Sequence, residues 1–200
     1  MRKTCEYFFA PQSPWTYLGH ARLIALAQQY DVTIALKPCD LSKVFSTSGG
    51  VPLNQRPPQR QAYRLLELQR WSEYLQQPLN LHPRYFPVMP NDASKFIIAA
   101  QLAHGTTAAL QLTGAIMRGV WAEDKNIADS ATLIAIATAL GHDGNALQKA
   151  AETASVASAF DQFTDEAIAA NVFGAPWYIV DGEGFWGQDR LDFVERAFAK

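Results

Sequence analysis

The sequence predicts an α/β protein in which a small sheet is built from both ends of the chain and a long helical segment lies between them. Aromatic and β-branched runs typical of strands occur near both termini, and alanine-rich runs with helical spacing fill the middle. The chain has 200 residues, of which 48% are hydrophobic and 18% are charged. This size and composition favour one domain, or one domain with a large insertion, and exclude a disordered chain.

The charge balance and the cysteine content exclude several classes of function. The 17 Lys and Arg against 19 Asp and Glu give a net charge of -2, so the overall charge gives no basic footprint for a polyphosphate partner, and we expect neither nucleic acid nor an anionic membrane as a partner. No apolar stretch reaches the roughly 20 residues of a membrane span, and the N-terminus shows no export signal. Cys5 and Cys39 are too few for a disulfide scaffold and are expected to be packed side chains, although a disulfide between them stays open. The low cysteine content favours a reducing, cytoplasmic setting. The four histidines are scattered along the chain, so we expect no metal site.

The first 40 residues predict a strand, a helix and a second strand. Residues 4–10 form an aromatic-rich strand, and residues 31–38 return to β-branched alternation. Between them, residues 14–30 carry apolar side chains at helical spacing, with Ser13 as the N-cap and Pro14 at the first helical position. Such a unit forms parallel strands joined by a right-handed crossover.

The middle of the chain predicts a loop followed by helices. The Ser, Thr and Gly content of residues 41–54 indicates the loop. Helical patterns separated by prolines and glycines then cover residues 58–75, 93–104, 107–121, 130–140 and 146–171, the last with a break near Thr153.

A hairpin and a closing helix are predicted at the end of the chain. Residues 177–180 and 184–187 are separated by an Asp-Gly turn, and residues 190–199 form the helix. The complete order is that of a thioredoxin-type domain with helices inserted in its middle. We therefore predict an α/β protein, a thioredoxin-like domain with a large all-helical insertion. The thioredoxin-like part would comprise residues 1–40 and 172–200, and the inserted helical domain residues 41–171.

Three motifs occur in order along the chain and carry a family resemblance. They are Ser13-Pro14-Trp15-Thr16-Tyr17-Leu18, Phe173-Gly174-Ala175-Pro176 and Phe185-Trp186-Gly187-Gln188-Asp189-Arg190. Together they resemble the 2-hydroxychromene-2-carboxylate isomerases, which belong to the DsbA-like superfamily and are relatives of kappa-class glutathione transferases. The resemblance covers essentially the whole chain. It implies a glutathione-binding thioredoxin-like domain, a homodimer, and a small aromatic 2-oxo acid as the substrate.

Ser13 is the predicted catalytic residue. Thioredoxin-like redox enzymes carry Cys-x-x-Cys after their first strand, and this stretch contains Ser13 and Thr16 instead, so disulfide exchange by protein thiols is lost. A hydroxyl at a helix N-terminus can donate a hydrogen bond to an external thiolate, and the helix dipole adds to the stabilisation of that anion. Ser13 would thus bind and activate glutathione. The alternative is that Ser13 is only an N-cap before a helical proline.

Ala175 and Pro176 are predicted to bind the backbone of glutathione. In thioredoxin-like folds this proline is cis, and a cis bond exposes the main-chain groups of Ala175, so the resemblance gives that residue antiparallel pairing with the cysteinyl backbone. The alternative is a trans proline that simply starts a strand.

Trp186, Gly187, Gln188 and Asp189 are predicted to hold the γ-glutamyl end of glutathione. Backbone N–H groups at the start of the last helix can receive a carboxylate while Asp189 faces an ammonium. A helix cap is the alternative for Asp189, and it is compatible with binding. Trp186 and Gln188, like Arg190, could equally be packing or surface residues.

The inserted region carries the predicted substrate contacts. Residues 50–56 resemble the family loop that reaches over the active site, and the resemblance gives Asn54 contacts with both glutathione and substrate. Phe45, Gln55 and Tyr85 are also predicted to contact the substrate, Tyr85 through its phenol. For Tyr85, which lies near several prolines, packing is the alternative.

One departure from the family pattern concerns the partner of the substrate carboxylate. Some members carry a lysine where this sequence has Phe45, and Lys43 lies two residues earlier. The candidates for this partner are therefore Lys43, Arg56 and Arg84.

The reaction that the resemblance implies interconverts 2-hydroxychromene-2-carboxylate and trans-o-hydroxybenzylidenepyruvate in the catabolism of aromatic hydrocarbons. The glutathione thiolate would add to the activated double bond, and rotation followed by elimination would regenerate glutathione. Two alternatives share the same site. One is a kappa-class-like transferase that releases the thioether, and the other is a glutathione-binding protein without turnover.

Overall fold

A computed structural model describes residues 2–200 and confirms the predicted α/β, thioredoxin-like fold. Its strands are Thr4–Phe9 (β1), Thr33–Pro38 (β2), Trp177–Val180 (β3) and Glu183–Trp186 (β4). They form one sheet in the order β2-β1-β3-β4. β1 runs parallel to β2 and antiparallel to β3, and β3 forms a hairpin with β4. The two ends of the chain therefore meet in one sheet.

The helices of the described residues cover the sheet and fill the middle of the chain. They are Pro14–Gln29 (α1), Leu41–Ser48 (α2), Pro58–Leu75 (α3), Asn91–Glu123 (α4), Ser130–Ala139 (α5), Gly144–Ala151 (α6), Ala154–Ala169 (α7) and Leu191–Ala199 (α8). The predicted break near Thr153 is confirmed, because α6 and α7 are separate helices on either side of it.

The prediction of a loop over residues 41–54 is wrong for its first half, which forms α2. The Asp40 side chain caps this helix by accepting hydrogen bonds from two N–H groups of the first turn, at 2.9 and 3.4 Å. Gly49 ends the helix in the left-handed region at φ 74°. Val44 is fully buried against Phe8 and its neighbours. The two helix ends and this buried contact outweigh the low helix propensity of Ser and Thr.

The two helices predicted at residues 93–104 and 107–121 are the two parts of α4. Gly105 has φ 82° and ψ 173°, a conformation outside the helical region, and it separates the two parts. This conformation is open almost only to glycine, so the predicted break has a local cause in the sequence.

Apolar side chains cover both faces of the sheet. Alternate residues of a strand point to opposite faces, and Tyr7 and Phe9 lie in the larger core together with Trp121 of α4. Phe8 lies in a smaller cluster with Trp177 on the other face. Because β1 is buried on both sides, its near-continuous apolar sequence is explained.

The larger core joins the sheet to the inserted helices. It contains residues of β1, β3, α1 and α8 together with residues of α3 to α7. The division into residues 1–40 with 172–200 and an inserted domain of residues 41–171 stays a prediction. None of the helices in residues 2–200 combines the length and the apolar character that crossing a membrane would require.

Candidate active site

A cavity of about 610 Å³ lies between α3 and the segment that joins β4 to α8. Its volume falls in the usual range for small-molecule sites. The lining residues are Trp15, Arg56, Gln59, Arg60, Tyr63, Arg64, Glu67, Trp71, Ala175, Trp186, Gly187, Gln188, Asp189 and Arg190. Five of the predicted glutathione contacts, from Ala175 to Asp189, are thus brought together at one wall.

Ser13 is the N-cap of α1 and does not itself line the cavity. Its Oγ accepts a hydrogen bond from the N–H of Thr16 at 3.3 Å, and its own N–H donates to the carbonyl of Ala10 at 3.0 Å. A serine hydroxyl that accepts in this way still has its proton to donate. Trp15, two residues further on, lines the cavity. Ser13 is confirmed as the N-cap of α1. Its role toward glutathione stays a prediction, and the capping bond does not use the hydroxyl proton that this role requires.

Ala175 and Pro176 form a cis peptide bond next to the cavity. The carbonyl of Pro176 accepts a hydrogen bond from the N–H of Gly187 at 2.9 Å, which ties the two predicted glutathione-binding segments to each other. Gly174 lies flat against the indole of Trp186, where a Cβ atom would be 2.5 Å from Nε1. Trp186 itself remains 52% exposed, so one face of its ring is available to a ligand.

Gln188 is almost completely buried in the wall of the cavity. Its Oε1 accepts a hydrogen bond from the Arg22 guanidinium at 2.9 Å, and its backbone carbonyl accepts another at 3.2 Å. Its Nε2 has no hydrogen-bond partner within the described residues. This atom is shielded from solvent, so a ligand in the cavity could reach it only after a movement of the side chain. Asp189 is paired with Arg190 at 2.9 Å.

This wall fits the amino-acid end of glutathione. The amide of Gln188 is buried within this wall, and the carboxylate of Asp189 matches an ammonium. Both groups lie on the short segment that precedes α8. The roles of Trp186, Gly187, Gln188 and Asp189 as glutathione contacts stay predictions.

The four predicted substrate contacts do not line the cavity. Asn54 and Gln55 are exposed on a short 3-10 turn that precedes α3. Phe45 lies on α2 and packs over Gly50. Tyr85 is stacked with the guanidinium of Arg84, whose Cζ is 5.3 Å from the ring centroid. Their roles toward the substrate stay predictions.

Of the three candidates for binding a substrate carboxylate, the structure places Arg56 in the cavity wall. Lys43 is paired with Asp161 at 2.9 Å, and Arg84 lies over Tyr85. Two further arginines of the wall, Arg60 and Arg64, were missed by the sequence analysis. The signal that could have found them is the spacing of four residues between Arg60 and Arg64, which places both on one side of α3, with Arg56 just before the helix begins.

The α3 wall of the cavity is cationic. Within residues 2–200, no carboxylate lies within ion-pair distance of Arg56, Arg60 or Arg64. Burial lowers the pKa of Arg64 to about 10, and the charge of Arg56 adds to this effect. Burial, together with the charge of Arg60, also lowers the pKa of Arg56. All three side chains still carry positive charge at neutral pH.

The cysteines and histidines supply no second centre of reactivity in this structure. Cys5 and Cys39 are both buried and unpaired, so they form no disulfide. Burial raises the pKa of each thiol to about 12, which keeps both protonated at neutral pH and makes them poor nucleophiles. Across the described part of the chain, no three His, Cys, Asp or Glu side chains are placed to hold a metal ion together.

These features define a thioredoxin-fold site that begins at a serine instead of a redox cysteine. The chain belongs to the DsbA-like thioredoxin family, whose domain model matches residues 4–199. It is 30% identical to the 2-hydroxychromene-2-carboxylate isomerase of Pseudomonas putida, over 98% of this chain and 94% of that protein. The resemblance to these isomerases is thereby confirmed.

Two further comparisons agree with this placement. A solved structure of a 2-hydroxychromene-2-carboxylate isomerase superposes with a TM-score of 0.81 at 27% identity, covering 98% of this chain and 94% of that chain. Glutathione S-transferase kappa 2 of Caenorhabditis elegans is 28% identical over 98% of this chain and 94% of that protein. The family relationship thus extends over the whole length of the fold.

Proposed function

We propose that the chain is a glutathione-dependent isomerase that interconverts 2-hydroxychromene-2-carboxylate and trans-o-hydroxybenzylidenepyruvate. The observation that carries the proposal is the start of α1, where Ser13 caps the helix, keeps its hydroxyl proton and lies two residues before Trp15 of the cavity wall. The name and the full-length similarity of the Pseudomonas putida isomerase support the choice of reaction. The name of the kappa-class relative supports glutathione as the cofactor.

Glutathione would be held along the wall that runs from Ala175 to Asp189. Ala175 would pair with its backbone, the backbone N–H groups of the segment that precedes α8 would receive its γ-glutamyl carboxylate, and Asp189 would face its ammonium. When bound, glutathione supplies a thiol nucleophile that can add to an activated double bond and leave again. It is therefore proposed as a cofactor that is not consumed.

Ser13 would stabilise the anionic form of the bound thiol. Its Oγ accepts a hydrogen bond from the N–H of Thr16, which leaves the hydroxyl proton free to be donated to sulfur. The first turn of α1 contains no acidic side chain that would oppose an anion. The helix N-terminus adds its partial positive charge. Together these effects would lower the pKa of the thiol.

The rest of the cavity suits a flat, aromatic, negatively charged molecule. Trp15, Tyr63 and Trp71 line it, and each offers a ring face or edge to an aromatic substrate. The arginines of α3 give it a positive potential, which favours a carboxylate. A small aromatic 2-oxo acid has both properties.

We also propose that the protein is a cytoplasmic homodimer. Two buried, unpaired cysteines are compatible with a reducing compartment. Tyr63, Leu66 and Tyr74 of α3 are 58%, 43% and 78% exposed and provide apolar surface for a second copy. Sedimentation equilibrium of the purified protein would test the dimer.

The proposed reaction is tested by a spectrophotometric time course with 2-hydroxychromene-2-carboxylate. The enzyme is first freed of bound thiol, and the conversion is then followed with and without added glutathione. Conversion that needs glutathione but does not consume it supports the proposal. Absence of conversion by a protein that binds glutathione would contradict it.

A kappa-class-like transferase is the second candidate, favoured by the similarity to the Caenorhabditis elegans protein. Thiolate stabilisation by Ser13 would serve this reaction equally well, and the two differ in whether the thioether is released. Mass spectrometry of the same reaction mixture distinguishes them, because a transferase accumulates a glutathione conjugate. Glutathione binding without either product would indicate a binding protein.

A further inference from the structure

Arg64 is held in a fixed position by two aromatic rings. Its Cζ lies 5.3 Å from the ring centroid of Phe86 and 5.9 Å from that of Trp121. Both distances are within the range of cation–π attraction, which orients a guanidinium without neutralising it. Trp121 is fully buried, so this support is part of the core. Arg64 therefore presents a prearranged cation at the cavity wall.

No group of the described residues balances this charge. The side chain of Arg64 makes no ion pair and no hydrogen bond to another part of residues 2–200. Its guanidinium contacts the rings of Phe86 and Trp121. Of the two acidic residues of the cavity, Glu67 is paired with Arg70 at 2.7 Å, and Asp189 is paired with Arg190 at 2.9 Å in the segment across the cavity from α3. A partly buried charge without a partner is unfavourable, and an anionic ligand would remove that penalty.

Of the three arginines that line the cavity, Arg64 is the nearest along the chain to Trp71. With a rise of about 1.5 Å per residue, it is about 6 Å along the helix axis from Arg60 and about 10 Å from Trp71. Tyr63 and Trp71 also line the cavity. An anion bound by Arg64 would thus belong to a molecule whose ring can contact these side chains.

We propose that Arg64 binds the carboxylate of the aromatic substrate and makes the cavity select anionic over neutral substrates, an inference that rests on the proposed function. A guanidinium matches a carboxylate with two parallel N–H···O hydrogen bonds, which fixes the orientation of the bound acid as well as its charge. The preference for an acid over its ester is therefore the property that Arg64 determines.

The test compares trans-2-hydroxycinnamate with its methyl ester by isothermal titration calorimetry. Both are titrated into protein saturated with S-methylglutathione, which has no free thiol, so that binding is measured without turnover. The wild-type protein should bind the acid more tightly than the ester. Arg64→Met keeps the length of the stem between the two rings and should reduce this acid-to-ester preference by about 10- to 100-fold.

Arg196→Met is the matched control. Arg196 also lies over an aromatic ring, with its Cζ 5.4 Å from the centroid of Phe193, but it does not line the cavity. Its loss lowers the net charge by the same amount and should leave the preference unchanged. Arg64→Lys keeps the charge without the two-pronged geometry and should lose part of the preference, which provides a second variant if Arg64→Met does not fold.

Four results would overturn the inference. They are an unchanged preference in both Arg64 variants, an equal loss of affinity for acid and ester, no binding of either probe to the wild type, and a loss of S-methylglutathione binding alone. The time course described above separates this inference from the proposed function. If Arg64 sets the preference but no isomerisation occurs, only the proposed reaction fails. If isomerisation occurs with an unchanged preference, only the role of Arg64 fails.

Discussion

The Ser13 hydroxyl caps α1 and is the proposed hydrogen-bond donor to the glutathione thiolate. Ser13→Ala removes the acceptor of the Thr16 N–H and the donor proposed for the thiolate. Loss of the cap should cost about 1 kcal/mol of unfolding free energy. Loss of a hydrogen bond to a charged group should lower kcat about 10- to 100-fold. Chemical denaturation and steady-state kinetics measure the two effects.

Asp143→Ala is the control for the capping effect of Ser13. Asp143 caps α6 by accepting from the N–H of Ala146 at 2.9 Å and does not line the cavity. This variant should lose similar stability and keep its activity. Equal losses of activity in the two variants would show that Ser13 acts only through helix stability.

His20 gives the protein an acid-sensitive core. Its Nε2 is hydrogen-bonded to the carbonyl oxygen of Leu110 at 2.9 Å, and its Nδ1 is hydrogen-bonded to the hydroxyl of Tyr7 at 3.2 Å. Burial lowers the pKa of His20 to about 4. The unfolded chain takes up a proton near pH 6.5, whereas the folded protein does not until about pH 4. The stability that neutral His20 contributes is therefore present above pH 6.5 and is lost between pH 6.5 and 4.

Comparison with His20→Gln isolates this contribution from that of the carboxylates. The difference in unfolding free energy between wild type and variant should shrink by up to about 3 kcal/mol as the pH falls from 7 to 4. Urea denaturation at a series of pH values gives this difference. A difference that stays constant over the window would mean that folding does not lower the pKa of His20.

At the scale of elements, Gly105 determines how α4 is interrupted. Its φ of 82° and ψ of 173° suit glycine alone, and a Cβ atom at this position would meet nothing within 4 Å. Gly105→Ala should therefore cost about 2 to 3 kcal/mol through backbone strain alone. Thermal and urea denaturation measure the cost.

Gly49→Ala provides the comparison for Gly105→Ala. Gly49 also has open space around it, but its φ of 74° and ψ of 16° lie in the left-handed helical region. Alanine is less unfavourable there, at about 1 kcal/mol. If both variants lose the same stability, the special conformation of Gly105 is not the cause.

Local patterns in the sequence predicted the elements better than the walls of the site. Ser13 with Pro14 marked the start of α1, and the strands were visible as aromatic and β-branched runs. α2 was missed because its composition resembles a loop, although Asp40 and Gly49 carry the capping signals at its two ends.

The arginines of α3 were missed for a different reason. Charged residues on a helix usually face solvent, so their spacing alone does not reveal a cavity. Only the packing of α3 beside the segment from Trp186 to Arg190 turns Arg60 and Arg64 into lining residues. Contacts between segments more than 100 residues apart depend on the tertiary fold and leave no local pattern.

At the scale of the whole molecule, one core unites the sheet and the inserted helices. Tyr7 of β1, Trp121 of α4 and Phe160 of α7 belong to the same buried cluster. We therefore expect the chain to unfold in a single transition. Far-UV circular dichroism and tryptophan fluorescence should give the same urea midpoint.

Two separate midpoints would instead support an inserted domain that is stable by itself. Trp71→Phe sharpens this experiment by removing a helical reporter. Fluorescence then comes from Trp177 and Trp186 of the sheet together with Trp15 and Trp121 of the helices, while circular dichroism follows mostly the helices. Agreement of the two signals in this variant would show that sheet and helices unfold together.

The pairing of β1 with β3 also has a consequence for biosynthesis. About 170 residues separate the two strands, and a ribosome adds roughly 5 to 20 residues per second, so this edge of β1 waits about 10 to 30 s for its partner. An open apolar strand edge is a template for pairing with other chains. In the cell, the yield of folded protein therefore depends on keeping the unfinished polypeptide apart from its neighbours until Tyr178 has been translated.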